Sequence, residues 1–129
     1  MDVEKFWRAT LAQDAEAMRA FFHPDAEVRW HCTNERFSVE GFIRANCEYP
    51  GSWRGEIERA ERMGDRIVSA LRVWPEGGGA SFHVASFFQL EDGKIRRLDE
   101  YWADDGEAPE WRRALKLSAP IRAASGAEI

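Results

Sequence analysis

The chain has 129 residues, of which 44% are hydrophobic and 12% aromatic, and a net charge of −5. That length fits one domain with a real core, and the composition is that of a globular chain rather than a disordered one. Acidic and basic residues alternate, as in EIERAERMGDR over 56–66, so no basic stripe exists and nucleic acid is excluded as the expected partner. No apolar run approaches the length of a membrane span, and the N-terminal MDVEKFW is charged and unlike a signal peptide, so a cytoplasmic protein without membrane partners is expected. Cys32 and Cys47 fit reduced thiols.

Asp2 to Gln13 reads as a short helix with Phe6, Trp7, Thr10 and Leu11 near one face. Asp14 is a good N-cap for a second helix, AEAMRAFF, which His23-Pro24-Asp25 should stop, because proline forces its predecessor out of helical geometry. Ala26 to Cys32 reads as a strand with Val28, Trp30 and Cys32 on one face and Arg29 and His31 on the other. A turn at Thr33-Asn34-Glu35 and a short return at Arg36-Phe37 follow. Ser38 caps a third helix, VEGFIRANCEY, ended by Pro50-Gly51. The rest reads as strands: Trp53 to Met63, Arg66 to Trp74, Ala80 to Leu90 and Ile95 to Trp102, with turns at Gly64-Asp65, Pro75 to Gly79 and Glu91-Asp92-Gly93. Hairpin-linked strands in succession predict an antiparallel meander, and the whole order predicts an α+β domain with helices packed on one sheet face. A single domain over 1–117 and a small, polar tail over 118–129 are expected.

In SFHVASFFQL, Phe82, Val84, Ser86, Phe88 and Leu90 share one face, and His83, Ala85, Phe87 and Gln89 the other. Both faces are largely apolar. The second needs a cover, and a homodimer through this outer sheet face is the simplest source of one. His83 is placed there, in an interface or core role.

The stretch IRRLDEYW puts Glu100 on the same strand face as Leu98 and Trp102. A carboxylate among large aromatics is expensive to bury, and is either paired with a cation or raised in pKa toward the range of a neutral-pH general acid or base. The two readings are an ion pair with Arg44 or Arg72, and a functional group. His31, at the strand-to-turn boundary beside Cys32, Asn34 and Glu35, is the second candidate proton carrier, against an exposed or capping histidine. Six tryptophans are many for so short a chain, and they suit a pocket or an interface as well as a core. Tyr49 and Trp53, around Pro50-Gly51, read either as ligand contacts or as a hydrophobic plug. Cys47 and Cys32 read as small buried hydrophobes, with Cys47 at the core or pocket edge. The histidines lack metal-ligand spacing, and Gly77-Gly78-Gly79 leads into a strand rather than a helix, so neither a metal nor a phosphate cofactor is expected.

The segments DAEAMRAFFHPDAEVRW, SVEGFIRANCEY and VASFFQLEDGKIRRLDEYW resemble the nuclear transport factor 2-like superfamily, which includes ketosteroid isomerases and SnoaL-like polyketide cyclases. The resemblance covers roughly residues 2 to 112. It implies a cone: a curved antiparallel sheet wrapped around about three N-terminal helices, a pocket at the wide end, and a dimer through the outer sheet face. The isomerase machinery carries over poorly. Its aspartate base falls where this chain reads Val28-Arg29-Trp30-His31, its proton-donating acid falls near Ser86, and its early helix tyrosine has no counterpart. SnoaL-like cyclases are the better resemblance, with Glu100 and His31 as the candidate acid and base. The combined expectation is a cone that binds a small, largely apolar molecule and performs cofactor-free isomerisation, cyclisation or dehydration. Glu100 and His31 are its catalytic pair, and Trp30, Asn34, Tyr49, Trp53, Ser86, Phe88 and Trp102 line its pocket. The alternative is a non-catalytic ligand-binding or dimeric interaction module of the same fold.

Overall fold

The computed structural model describes residues 1–122, so most of the expected C-terminal tail lies outside the described residues. Three helices precede the long strands. Helix α1 (Val3–Leu11) starts where the Asp2 carboxylate accepts from the amides of Glu4 and Lys5, and α2 (Ala15–Arg19) where Asp14 accepts from the Ala17 amide. Helix α3 (Val39–Cys47) begins at the Ser38 hydroxyl, which accepts from the Gly41 amide. The strands are β1 (Phe22–Trp30), β2 (Glu35–Ser38), β3 (Trp53–Met63), β4 (Arg66–Pro75), β5 (Phe82–Glu91) and β6 (Lys94–Asp104). They form one sheet in the order β2-β1-β6-β5-β4-β3.

The meander β3-β4-β5-β6 and the β1-β2 hairpin are antiparallel as expected, but β1 and β6 pair in parallel. This pair joins the first strand to the last, across α3 and the whole meander, and no hairpin constrains its direction. Several boundaries also move, most of all around β1. The second helix stops at Arg19, so Phe21 and Phe22 leave it and β1 starts at Phe22. Pro24 then sits inside β1 where its pairing with β6 is interrupted, between Phe22 and Glu27, a place that tolerates a residue with no N–H to donate. At the other end β1 stops at Trp30, and His31–Thr33 form a 3₁₀ turn closed by Asn34 at φ 57°. A short fourth helix, α4 (Glu110–Leu115), follows the sheet and buries none of its residues.

The core lies between the helices and the concave sheet face. Phe6, Met18, Val28, Ile95 and Leu98 are fully buried, and the Phe6 ring meets Phe88 edge-on with centroids 5.2 Å apart. Gly55 on β3 matters to this closure, because a Cβ there would lie 2.8 Å from Leu11 Cδ1 and 3.2 Å from the Arg72 carbonyl. Its missing side chain lets α1 rest on the sheet. On the convex face Phe87 and Tyr101 are both 44% exposed.

Candidate functional site

The helices leave one end of the concave sheet face uncovered. A cavity of about 360 Å³ lies there, walled by Trp7 and Leu11 of α1, Trp30 of β1, Tyr49, Trp53, Phe82 and Trp102. This size is that of a small-molecule site. Tyr49 and Trp53 stack at 5.3 Å, Trp53 meets Phe82 at 5.7 Å, and Trp30 meets Trp102 edge-on at 6.4 Å.

Glu100 lies beneath this aromatic wall. Strand register explains its neighbours: it is directly opposite Trp30 on β1 and Ser86 on β5, and Trp102 is the next residue on its own strand face. The indoles of Trp30 and Trp102 donate to Glu100 Oε1 at 3.1 and 3.4 Å, and the Ser86 hydroxyl donates to Oε2 at 2.6 Å. Glu100 is 1% exposed. Burial pushes its carboxyl from the usual 4.5 up to about 7, against the downward pull of hydrogen bonds from Ser86, Trp30 and Trp102. The ion pair considered from the sequence does not form. Arg44 bonds Glu48 across one turn of α3, and Arg72 lies over the Trp74 ring and reaches Glu56.

One strand further along, Ser69 of β4 is paired with Ser86 and is fully buried, and its hydroxyl accepts the Trp7 indole N–H at 3.0 Å. Three tryptophans from α1, β1 and β6 thus turn their N–H groups down onto the sheet while their rings line the cavity.

The expected pairing of His31 with Glu100 is not formed. His31 stays on the side opposite Trp30, as strand alternation gives, and the 3₁₀ turn that follows β1 does not bring it back to the concave face. On the convex side its Nε2 is 2.7 Å from Asp99 Oδ1 and its ring stacks on Tyr101 at 4.5 Å. Among the expected pocket residues, Trp30, Tyr49, Trp53 and Trp102 line the cavity. Ser86 and Phe88 do not line it, being buried behind the wall, and Asn34 is spent on its exposed turn. Cys32 is a further correction: the 3₁₀ turn takes it out of the strand, and it is exposed at the cavity mouth rather than buried. Cys47 is half-buried near the Gln13 carbonyl and Met18.

Sequence reasoning missed Trp7, Gln13, Asn46, Glu35 and Asp104 as lining residues. The available signal for Trp7 was its place on the apolar face of α1, which a core residue shares. Among the described residues, no group of His, Cys, Asp and Glu is arranged to hold a metal ion, and no helix is long and apolar enough to cross a membrane.

No curated protein matches the chain. Among solved structures, it is similar to a Kribbella flavida protein described as a ketosteroid isomerase candidate, at 22% identity and TM-score 0.77 over 92% of this chain and 87% of that one. It is also similar to an NTF-2 like protein of unknown function from Burkholderia xenovorans, at 21% identity and TM-score 0.75 over 92% and 91% of the two chains. An LEH-like epoxide hydrolase from M. tuberculosis matches at 18% identity and TM-score 0.64 over 78% and 79%. At these identities the likeness shows the fold alone. The SnoaL-like domain family itself matches over residues 3–98, from the start of α1 to the middle of β6. With that match spanning most of the chain, on a cone of the nuclear transport factor 2-like kind, the protein belongs to the SnoaL-like domain family.

Proposed function

We infer that the protein binds a small, largely apolar molecule in the cone and that Glu100 supplies acid–base chemistry there without a cofactor. The observation that carries this is a buried carboxyl with no cationic partner among the described residues, hydrogen-bonded to two of the indoles that wall the cavity. A carboxyl poised at about 7 is divided between acid and base near neutral pH, as proton transfer in an isomerisation, cyclisation or dehydration requires. Glu100 itself does not line the cavity, and Trp102, which makes the longest of the three bonds to it, is the partner we expect a ligand to displace to reach Oε1. His31 has no part in this reading.

The second reading is non-catalytic. Both Glu100 oxygens already accept hydrogen bonds, so the carboxyl also serves as a hub that fixes the pocket tryptophans. Glu100→Gln separates the two. Its amide donates to Ser86 Oγ and its carbonyl accepts both indoles, copying the protonated acid. For a compound found to bind the cavity by tryptophan fluorescence, turnover is followed by mass spectrometry. The enzymatic reading expects the variant to bind that compound and not convert it. Conversion at the wild-type rate by Glu100→Gln, or none by the wild type, leaves the binding module.

The convex face, with Phe87 and Tyr101 edge-on at 5.9 Å and both half exposed, supports a homodimer formed there. Two unpaired thiols suit the reducing cytoplasm.

A further inference from the structure

The ligand's charge follows from counting hydrogens around the cavity. Four indoles line it, and each N–H is already used: Trp7 on Ser69, Trp30 and Trp102 on Glu100, and Trp53 on the Pro50 carbonyl at 3.0 Å. Both amide hydrogens of Gln13 go to the carbonyls of Asn46 and Tyr49, and Asn46 in turn donates to the Thr10 carbonyl and Met18 Sδ. Thr10 donates to the Phe6 carbonyl and Thr33 to Glu35. Among the lining side chains, only the Tyr49 hydroxyl and the Cys32 thiol keep a free hydrogen.

Acceptors are plentiful by contrast. Asp104 and Glu35 both line the cavity and are exposed, and no Lys, Arg or His lines it among the described residues. Residues 123–129 contain none either. Indole and phenol rings add the negative potential of their faces. Such a cavity has almost nothing to offer an anion or a carbonyl oxygen.

We propose that the cavity takes an organic cation, a protonated or quaternary amine on an apolar body, with its charge held between the aromatic rings and the rim carboxylates of Asp104 and Glu35. This rests on the ligand-binding reading above and names the ligand's class. The apolar body displaces water from the rings, and the ammonium needs no donor from the protein.

The test uses three ligands of one shape: phenyltrimethylammonium, its neutral isostere tert-butylbenzene, and the anion benzenesulfonate. Each is titrated into the full chain, with binding read from tryptophan fluorescence and from NMR shifts of the cavity residues. The cation is expected to bind about tenfold tighter than the isostere, and the sulfonate not to bind. In Asp104→Asn/Glu35→Gln that preference should shrink severalfold while affinity for tert-butylbenzene stays unchanged. If the isostere binds as tightly as the cation, the charge assignment is overturned and the apolar cavity stands. A preference unchanged in the double variant overturns the role of the two carboxylates. If none of the three shifts the cavity residues, the ligand-binding reading falls as well.

Discussion

Asp99 and Glu100 are adjacent carboxylates on β6, and strand alternation sends them to opposite faces of the sheet. On the convex side Asp99 meets Arg97 at 2.9 Å and His31 at 2.7 Å. Partial burial works to raise its pKa, but hydrogen bonds from Arg97 and His31 outweigh it, and the carboxyl is held below its usual value. On the concave side Glu100 meets only neutral donors, and burial prevails. The same functional group is thus a settled charge on one face and a poised one on the other. What separates them is depth of burial together with the company each face provides: Asp99 is partly buried beside Arg97 and His31, whereas Glu100 is fully buried among neutral donors.

The sharpest way to break this contrast is to delete the buried group. Glu100→Ala strands two indole N–H groups and the Ser86 hydroxyl around a new void, and should cost about 3 kcal/mol or more in urea unfolding. A loss under about 1 kcal/mol would mean the hub does not organise the wall.

The charge itself gives an effect of similar size with a defined sign. Glu100 binds its proton more tightly folded than unfolded, so its contribution is fully present below about 4.5 and is lost as pH rises toward about 7. The shift corresponds to about 3 kcal/mol across that window. Glu100→Gln lacks this term. Its stability should match wild type near pH 4 and exceed it above pH 7, and parallel stability–pH curves for the two proteins would refute the buried charge.

Asp99 should behave oppositely. Its depressed pKa contributes stability above the unfolded value that is lost as pH falls through the folded one. Asp99→Asn should therefore cost about 1 kcal/mol at pH 7 and less at pH 3, measured by the same unfolding series. Equal losses at both pH values would show that its charge is not what counts.

The smallest effect belongs to His83, which bonds Asp105 and lies 3.3 Å from Glu58 on the convex face. Asp105 raises its pKa above 6.5, with partial burial opposing and Glu58 adding to the rise. Its stabilisation is present below 6.5 and fades as pH rises through the folded value. In an NMR titration the His83 midpoint should fall toward 6.5 as salt is added, because the group is partly exposed. A midpoint indifferent to salt would remove the ionic origin.

The fold was largely legible because its signals are local. Caps at Asp14 and Ser38, the Gly64-Asp65 and Asp92-Gly93 turns, and period-two alternation all act within a few residues, and the bounds of β3 and the start of α3 follow from them. The parallel β1-β6 pair was not legible, since it joins residues some seventy apart with no turn to report direction. The position of Glu100 on the inner face followed from its alternation with Leu98 and Trp102. That Ser86 and Trp30 bond it depends on register across three strands, which no single segment encodes. Alternation put His31 opposite Trp30, as found; its pairing with Glu100 needed the turn to bend it back, and the 3₁₀ turn does not.

The most direct test is the titration of the Glu100 side-chain carboxyl, followed by its ¹³C shift in protein labelled at glutamate, with Glu100→Gln identifying the resonance. A midpoint near 7 is predicted, well apart from the other glutamates. A midpoint at or below 4.5 would contradict the account, because the carboxylate would then be as settled as Asp99 and the cavity would have no poised acid beneath it.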